Sequence, residues 1–202
     1  MRVPSQSRNV PAAGMTCRAR GFTIVELMVT VVVAAILLMI AVPSFTTIVN
    51  TNRLNSVADA MVAALNNARM EAIKRNGSVQ FCSNSATSND GTVSDTLSTA
   101  CGTSSGAVYA LTGTTTTQVM AQPSQLTISS LRVRGNIAAI RFNGDGLGYA
   151  PGSTTPFDTS TTGSAVVDIC STALSSANDI QIDMATGAII TTTPLSTVTS
   201  CP

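Results

Sequence analysis

Two hydrophobic patterns follow each other along the first third of the chain. A nearly unbroken apolar run of 21 residues extends from Phe22 to Val42. In the more polar segment after it, apolar residues recur at spacings of four and three, which places them on one face of a helix. They are Leu54, Ala58, Met61, Leu65, Ala68 and Ala72. Both patterns together predict one long helix that is bent near Pro43 and ends near Arg75, where Asn76-Gly77 follows.

Beyond residue 76 the pattern changes to short apolar or alternating segments between loops rich in Ser, Thr and Gly. Strands are predicted at 79–81, 107–111, 126–128, 131–133, 137–142, 165–169, 180–183 and 188–191. Met184-Ala185-Thr186-Gly187 predicts a hairpin turn between the last two strands. The segments 83–105, 112–117 and 150–164 are predicted to be loops. The chain is therefore expected to have an α+β fold, with the apolar stripe of the helix packed on antiparallel β-sheets.

One acidic residue, Glu26, lies inside the apolar run. The run has about the 20 residues that a helix needs to cross a bilayer. An ionised carboxylate at that depth costs several kcal/mol unless it finds a partner, so Glu26 is a candidate functional residue. Arg18 and Arg20 precede the run, and basic flanks remain on the cytoplasmic side. The residues after the span are therefore expected on the opposite side of the membrane.

The segment GFTIVELMVTVVVAAILLMIAVPSF, which begins at Gly21, resembles the N-terminal signal of type IV pilins and pseudopilins. The shared features are the glycine before Phe22, the glutamate five residues after that glycine, and Pro43 at the far end. The resemblance implies that a prepilin peptidase in the inner membrane cleaves the Gly21–Phe22 bond and that Phe22 is then methylated. The start of the leader is left open between Met1 and Met15, because Met15 gives the short basic leader that suits this family.

The same resemblance implies a role for Glu26 and a division of the chain. The carboxylate of Glu26 would pair with the N-terminal amine of a neighbouring subunit during assembly. It would also favour the positive end of its own helix dipole. Residues 1–21 would be the cleaved leader, 22–42 the transmembrane and filament-core helix, 43–76 its amphipathic continuation, and 77–202 a β-rich periplasmic domain stapled by disulfides.

The rest of the layout resembles the minor pilins FimT and FimU and the type II secretion pseudopilin GspH. The resemblance lies in the helix end at 65–73, the strand that holds Cys82, the strand that leads into Gly144 and Gly146, and the final hairpin. It implies a minor pilin of a type IV pilus, which primes assembly or forms the tip. The alternatives are a GspH-like pseudopilin of the type II secretion system and a FimT-like DNA receptor for transformation. The implied partners are the prepilin peptidase, other major and minor pilins, and inner-membrane lipid.

The cysteine content fits an exported domain. Cys17 would leave with the leader, and the four that remain are Cys82, Cys101, Cys170 and Cys201. An even count in an exported domain indicates disulfides, of which three pairings are possible. We favour Cys82–Cys101 with Cys170–Cys201, because each closes a local loop of polar sequence.

The composition indicates no metal site and no catalytic site. The chain has no His and no closely spaced Cys pair, so metal binding is not expected. Asn143-Gly144-Asp145-Gly146 lacks the further acidic ligands of a calcium loop and is predicted to be a turn. The acidic residues after the helix are scattered. We therefore expect no enzyme activity, no cofactor and no small-molecule substrate.

DNA is not expected as a partner. Four of the eleven basic residues precede Phe22, so the processed chain carries seven basic against ten acidic residues, whereas DNA binding needs clustered positive charge. Some FimT relatives bind DNA through a Gly-Arg-x-Arg motif on the last hairpin, and the matching Gly187-Ala188-Ile189-Ile190 lacks both arginines. The one compact basic set is Arg132, Arg134 and Arg141, which are candidate contacts for DNA or a neighbouring subunit.

Overall fold

The computed structural model describes residues 21–93, 95–195, 198 and 200–202. The predicted leader, with Cys17 and both alternative starts, lies outside the described residues except for Gly21. The chain divides into two compact units, one that ends at Val42 and one that comprises Pro43–Pro202. The residue ranges of the predicted processing and domain scheme stay predictions.

The predicted long helix is present. It is α1, Ile24–Arg75, and it runs through Pro43 without interruption. Its C-terminal end is closed by the backbone: Asn76 has a φ of 46°, and the amide of Gly77 donates to the carbonyl of Ala72 at 3.1 Å. This is the left-handed cap that satisfies carbonyls at a helix end.

The remaining chain forms two antiparallel sheets. One has five strands in the order β3-β2-β1-β5-β6, and the other has four in the order β4-β7-β8-β9. The strands are β1 Val79–Phe81, β2 Val108–Thr112, β3 Thr115–Met120, β4 Leu131–Val133, β5 Ile140–Phe142, β6 Gly148–Tyr149, β7 Val167–Ser171, β8 Asp179–Ala185 and β9 Ile189–Leu195. Short helices lie between them: α2 Ala86–Asp90, α3 Thr96–Cys101, a 3-10 helix Ser124–Thr127, and α4 Thr159–Thr162.

One hydrophobic core joins the second part of α1 to both sheets. All six residues of the predicted helical stripe are buried, and Val57 and Ala64 are buried beside them. From the sheets, Phe81 and Phe142 of the five-stranded sheet and Ile169 of the four-stranded sheet are among the largest buried side chains. The α+β, pilin-like fold predicted from the sequence is therefore confirmed.

Seven of the eight predicted strands are present, although their ends differ by a few residues. The prediction of a strand at 126–128 was wrong, because Ser124–Thr127 forms a 3-10 helix in which the Thr127 hydroxyl bonds the Ser124 carbonyl. The prediction of a loop at 112–117 was also wrong, because β3 begins at Thr115 and pairs with β2. Half of β3 is threonine and four of its six residues are exposed, so no apolar alternation reveals it.

Two disulfides are present in the described chain, and they join cysteines 19 and 31 residues apart. Cys82 is bonded to Cys101 and Cys170 to Cys201, with Cα–Cα distances of 5.4 and 5.7 Å. These are the two pairs favoured from the sequence. The segment 83–105, predicted to be a loop, contains α2 and α3, which are capped by Ser85 and Asp95.

Candidate assembly site

The N-terminal end of α1 carries the predicted assembly residues. Gly21, Phe22 and Thr23 are not helical, and α1 begins directly after them. The Thr23 hydroxyl accepts a hydrogen bond from the amide of Glu26 at 3.2 Å, and the Thr23 carbonyl accepts one from Leu27 at 3.1 Å. Thr23 is therefore the N-cap, and Thr23-x-x-Glu26 has the capping-box spacing. The cap was not predicted from the sequence, although the four-residue pattern signals it.

Glu26 lies in the first turn of α1 and is exposed. Among the described residues, no hydrogen bond or ion pair reaches its carboxylate. The positive end of the helix dipole favours a negative charge at this position, but only by a few tenths to about 1 kcal/mol at an exposed site. The carboxylate is therefore available to a partner outside this chain.

The helix around Glu26 presents an apolar surface on every side. Large apolar residues from Phe22 to Val42 are half or more exposed, Phe22 itself by 69%. By length and composition α1 is able to cross a membrane. Thr30 interrupts the apolar sequence, but its hydroxyl donates to the Leu27 carbonyl at 2.9 Å and needs no outside partner. Such a surface is stable only against lipid or against other helices.

Pro43, the predicted bend, lies inside α1. Proline has no amide hydrogen, so one helical hydrogen bond is missing at this position. The hydroxyls of Thr46 and Thr47 both donate to the Pro43 carbonyl, at 2.9 and 3.1 Å. The bend itself stays a prediction.

The structure places the three arginines singled out in the sequence in or beside strands of two different sheets, and their role as contacts stays a prediction. Arg141 lies in β5 of the five-stranded sheet, whereas Arg132 lies in β4 of the four-stranded sheet and Arg134 follows it. The reason is the chain path: after β4 the chain leaves one sheet and enters the other. Arg132 is exposed, and its guanidinium donates to the carbonyls of Ser129 and Leu131.

Arg141 is committed to contacts within its own chain. Its guanidinium donates two hydrogen bonds to the carboxylate of Asp95, at 2.7 and 3.1 Å, and two to Oε1 of Gln80, at 2.7 and 3.2 Å. Gln80 is fully buried and lies opposite Arg141 in the β1–β5 register. Asp95 also caps α3 by accepting from the amides of Leu97 and Ser98. Arg141 therefore ties β5, β1 and α3 together.

The electrostatics of Asp95 reflect these contacts. Burial acts to raise the pKa of Asp95, but the hydrogen bonds from Arg141 and from the backbone of Ser98 and Leu97 outweigh it and lower the pKa below its usual value.

Arg134 contacts two acids, Asp168 and Asp179, through its Nε and Nη1 atoms at 3.5 and 3.3 Å. Both arginines thus meet acids of the same chain.

The last hairpin presents an apolar tip. Thr186 and Gly187 in its turn have φ values of 52° and 68°, and Ile189 is 59% exposed. Arg69 of α1, which was not among the arginines singled out in the sequence, donates to the Ala188 carbonyl at 2.8 Å. Within the described residues, no three His, Cys, Asp or Glu side chains converge as a metal site requires.

Two family models match this chain. The model described as Type II transport protein GspH matches residues 57–185, which is well over half of the chain and includes strands of both sheets. The model described as Prokaryotic N-terminal methylation motif matches residues 16–42, which include Gly21, Phe22 and Glu26. No curated protein and no solved structure matches the chain.

Proposed function

The chain belongs to the family of the type II transport protein GspH, whose members are pilins or pseudopilins of the GspH/FimT type, and on this premise we propose that it is a minor pilin of a type IV pilus. It is processed by a prepilin peptidase, is assembled with other pilins, and primes assembly or forms the tip. Members of this family are structural components, and this chain acts by docking between subunits.

The observation that carries this proposal is the carboxylate of Glu26, which has no partner among the described residues, on an otherwise apolar helix surface. Cleavage after Gly21 creates a new amine at Phe22. In a filament, Glu26 of one subunit pairs with that amine on another, and the exposed apolar residues of the two helices pack together. Before assembly the same surface faces the lipid of the inner membrane, and the domain after Val42 lies in the periplasm.

The pair formed by the Glu26 carboxylate and the Phe22 amine contributes mainly to the axial register between neighbouring subunits. Two opposite charges attract strongly in a medium of low dielectric, but removing both from water costs several kcal/mol per ion. The net gain is therefore small, whereas a misplaced subunit leaves a bare carboxylate among apolar groups. The pair thus penalises every axial offset except the one in which amine and carboxylate meet.

A pseudopilin of the type II secretion system is the second candidate. The family model that covers residues 57–185 is described as a type II transport protein, which favours this apparatus. Processing, fold and the role of Glu26 are the same in both candidates. They differ in the neighbouring subunits and in the process that fails when the protein is absent.

A DNA receptor for transformation is the third candidate and has the least support. Arg134 and Arg141 are both paired with acids of their own chain. The last hairpin carries Ala188, Ile189 and Ile190 where some relatives carry arginines. Arg132 alone is an exposed cation on this part of β4, and a single contact supplies little affinity for DNA.

The proposal is tested first by the mass of the N-terminal peptide of the protein purified from membranes. We expect a methylated Phe22 as the first residue; an unprocessed N-terminus or a different first residue contradicts the pilin assignment. A strain without this protein then separates the two apparatuses. Loss of surface pili with normal protein secretion supports the pilus, and loss of secretion with normal pili supports the pseudopilus.

A further inference from the structure

Three charged residues meet on the outer face of the four-stranded sheet, away from the hydrophobic core. Asp168 lies in β7 and Asp179 in β8. Arg134 follows β4, and its amide donates to the Asp168 carbonyl at 2.8 Å. Because side chains alternate along strands, and Asp168 lies opposite Gln181 while Asp179 lies opposite Cys170, the two aspartates are diagonal neighbours on one face. We call Asp168 and Asp179 the aspartate pair.

Among the described residues, Arg134 is the one cation in contact with the aspartate pair, of which Asp179 is buried and Asp168 half-buried. The Asp179 side chain is 0% exposed and that of Asp168 is 17% exposed. Arg134 contacts Oδ2 of each, at 3.5 Å for Asp168 and 3.3 Å for Asp179. The Oδ1 atoms of both residues are buried and have no other hydrogen-bond donor among the described residues. One guanidinium therefore faces two carboxyl groups.

The two aspartates are diagonal neighbours whose Oδ2 atoms both contact the guanidinium of Arg134, while the buried Oδ1 atom of each lacks a donor among the described residues. Two ionised carboxylates are both acceptors, so a hydrogen bond between them requires a proton on one. Both Oδ1 atoms are closed off from solvent, so an outside ligand does not supply the missing donor. We propose that the aspartate pair shares one proton, and that losing this proton as the pH rises loosens β4 and the contacts that Val198 and Cys201 of the C-terminal segment make with the four-stranded sheet.

The charges around the pair support a proton at neutral pH. Burial, and next the neighbouring Asp179, raise the pKa of Asp168 to about 7, although Arg134 acts in the opposite direction. Arg132 and Asp183 occupy diagonal positions on β4 and β8, and Gln181, opposite Asp168, is neutral. The described part of the C-terminal segment contributes Val198 and the bridged Cys201, neither of which titrates.

The pair is connected to both elements that we expect to loosen. Asn178, next to Asp179, holds the C-terminal segment through two hydrogen bonds with the backbone of Val198, at 2.9 and 3.3 Å. Cys170, opposite Asp179, is bonded to Cys201. Arg134 holds the end of β4, which is an edge strand. With the proton present, the aspartate pair and Arg134 have no net charge. Without it, they carry one net negative charge that is buried.

The direction of the pH effect follows from this raised pKa. In the unfolded chain Asp168 ionises near its ordinary value, about 4. Between about pH 4 and 7 the folded protein binds a proton that the unfolded protein has lost, so its stability falls as the pH rises through this range and is level above it. The stabilising contribution is complete only below about pH 4.

The test compares the melting temperature of the full chain in detergent at pH 5 and pH 8, in the wild type, Asp168→Asn and Asp183→Asn. Asparagine at 168 donates a hydrogen bond to Asp179 at every pH, as the protonated acid does. Asp183→Asn removes the same charge from the same face without touching the pair. Titrating groups other than Asp168 and Asp183 are common to all three proteins and cancel in the comparison.

We expect the melting temperatures of the wild type and Asp183→Asn to fall by several degrees between pH 5 and pH 8. The melting temperature of Asp168→Asn should fall much less and should be higher than that of the wild type at pH 8. The proposal is overturned if the melting temperature changes equally between pH 5 and pH 8 in all three proteins. It is also overturned if the melting temperature does not change in either variant. Infrared spectroscopy of the wild type gives a second reading if Asp168→Asn does not fold. A band of a protonated carboxylic acid is expected at pH 6 and is lost above about pH 7; its absence at pH 6 also overturns the proposal.

Discussion

The hydroxyl of Thr23 accepts a hydrogen bond from the backbone amide of Glu26 at 3.2 Å. This contact fixes where α1 begins and places Glu26 at the third helical position, in the turn where amides have no helical acceptor. The side chain of Glu26 therefore starts from a defined backbone position, close to Phe22. A carboxylate that selects the axial register of a subunit needs a fixed backbone position. If the first turn of α1 were unwound, the Glu26 carboxylate could reach several positions.

Replacing Glu26 with alanine tests the assembly role. We expect Glu26→Ala to be cleaved after Gly21 as the wild type is, while incorporation into filaments falls by more than about tenfold, since the amine of a neighbouring Phe22 is buried without a partner. The measurement is the amount of processed protein in sheared filaments relative to that in membranes.

Glu71→Ala is the matched control for this experiment. Glu71 also lies in α1, but its carboxylate pairs with Lys74 and Arg75 of the same helix. Exposed pairs of this kind contribute about 0.3–0.5 kcal/mol, so normal incorporation is expected. Equal incorporation of Glu26→Ala and the wild type would exclude the pairing role.

Arg141→Met is expected to lower the free energy of unfolding by about 2–3 kcal/mol, because buried Gln80 and the partly buried Asp95 lose their shared donor. Arg132→Met is the control: Arg132 is exposed and bonds only backbone carbonyls, so a change of less than about 0.5 kcal/mol is expected. Urea unfolding of the full chain in detergent measures both.

The same network gives a pH dependence at the acid end. The lowered pKa of Asp95 means that its contribution is present above its unfolded value, about 4, and is lost as the pH falls through the folded value. The difference between the wild type and Arg141→Met should therefore shrink when unfolding is measured at pH 3 rather than pH 6. A difference that does not change with pH would show that packing of the Arg141 side chain dominates.

Gly187 and Gly113 form a matched pair for testing the last hairpin. Both have a positive φ, 68° and 62°, so alanine costs about 1 kcal/mol of backbone strain at each. At Gly187 a Cβ atom would also lie 2.6 Å from the Gly148 carbonyl oxygen, whereas at Gly113 no atom lies within 4 Å. We expect Gly187→Ala to cost about 3 kcal/mol in urea unfolding and Gly113→Ala about 1 kcal/mol. Equal costs would mean that β6 shifts freely enough to make room for the Cβ atom.

DNA binding is tested by a mobility-shift assay with the full chain in detergent at moderate salt. We expect no shifted band, because Arg134 and Arg141 are paired with their own acids and the processed chain has more acidic than basic residues. A clear shift that disappears in the Arg132→Ala/Arg134→Ala double variant would instead support the DNA-receptor candidate.

Several features are readable from local sequence. The spacing of Leu54, Ala58 and Met61 identifies the buried side of α1, because a helix repeats every 3.6 residues whatever it packs against. The signal around Gly21 and Glu26 is likewise a pattern of adjacent residues. The two disulfides link cysteines 19 and 31 residues apart, so a preference for local loops selected the pairs that the structure contains.

The sequence by itself thus determined the helix, its buried face, the processing motif and most strands, since each depends on neighbours along the chain. Only the tertiary structure decided that Arg141 meets Asp95, 46 residues away, and that Arg134 lies between Asp168 and Asp179. It also decided that the exposed threonines of β3 form a strand. The reason is physical: strand order and register are set by how two sheets fit against one helix, and that fit decides which distant charges meet in the low-dielectric interior.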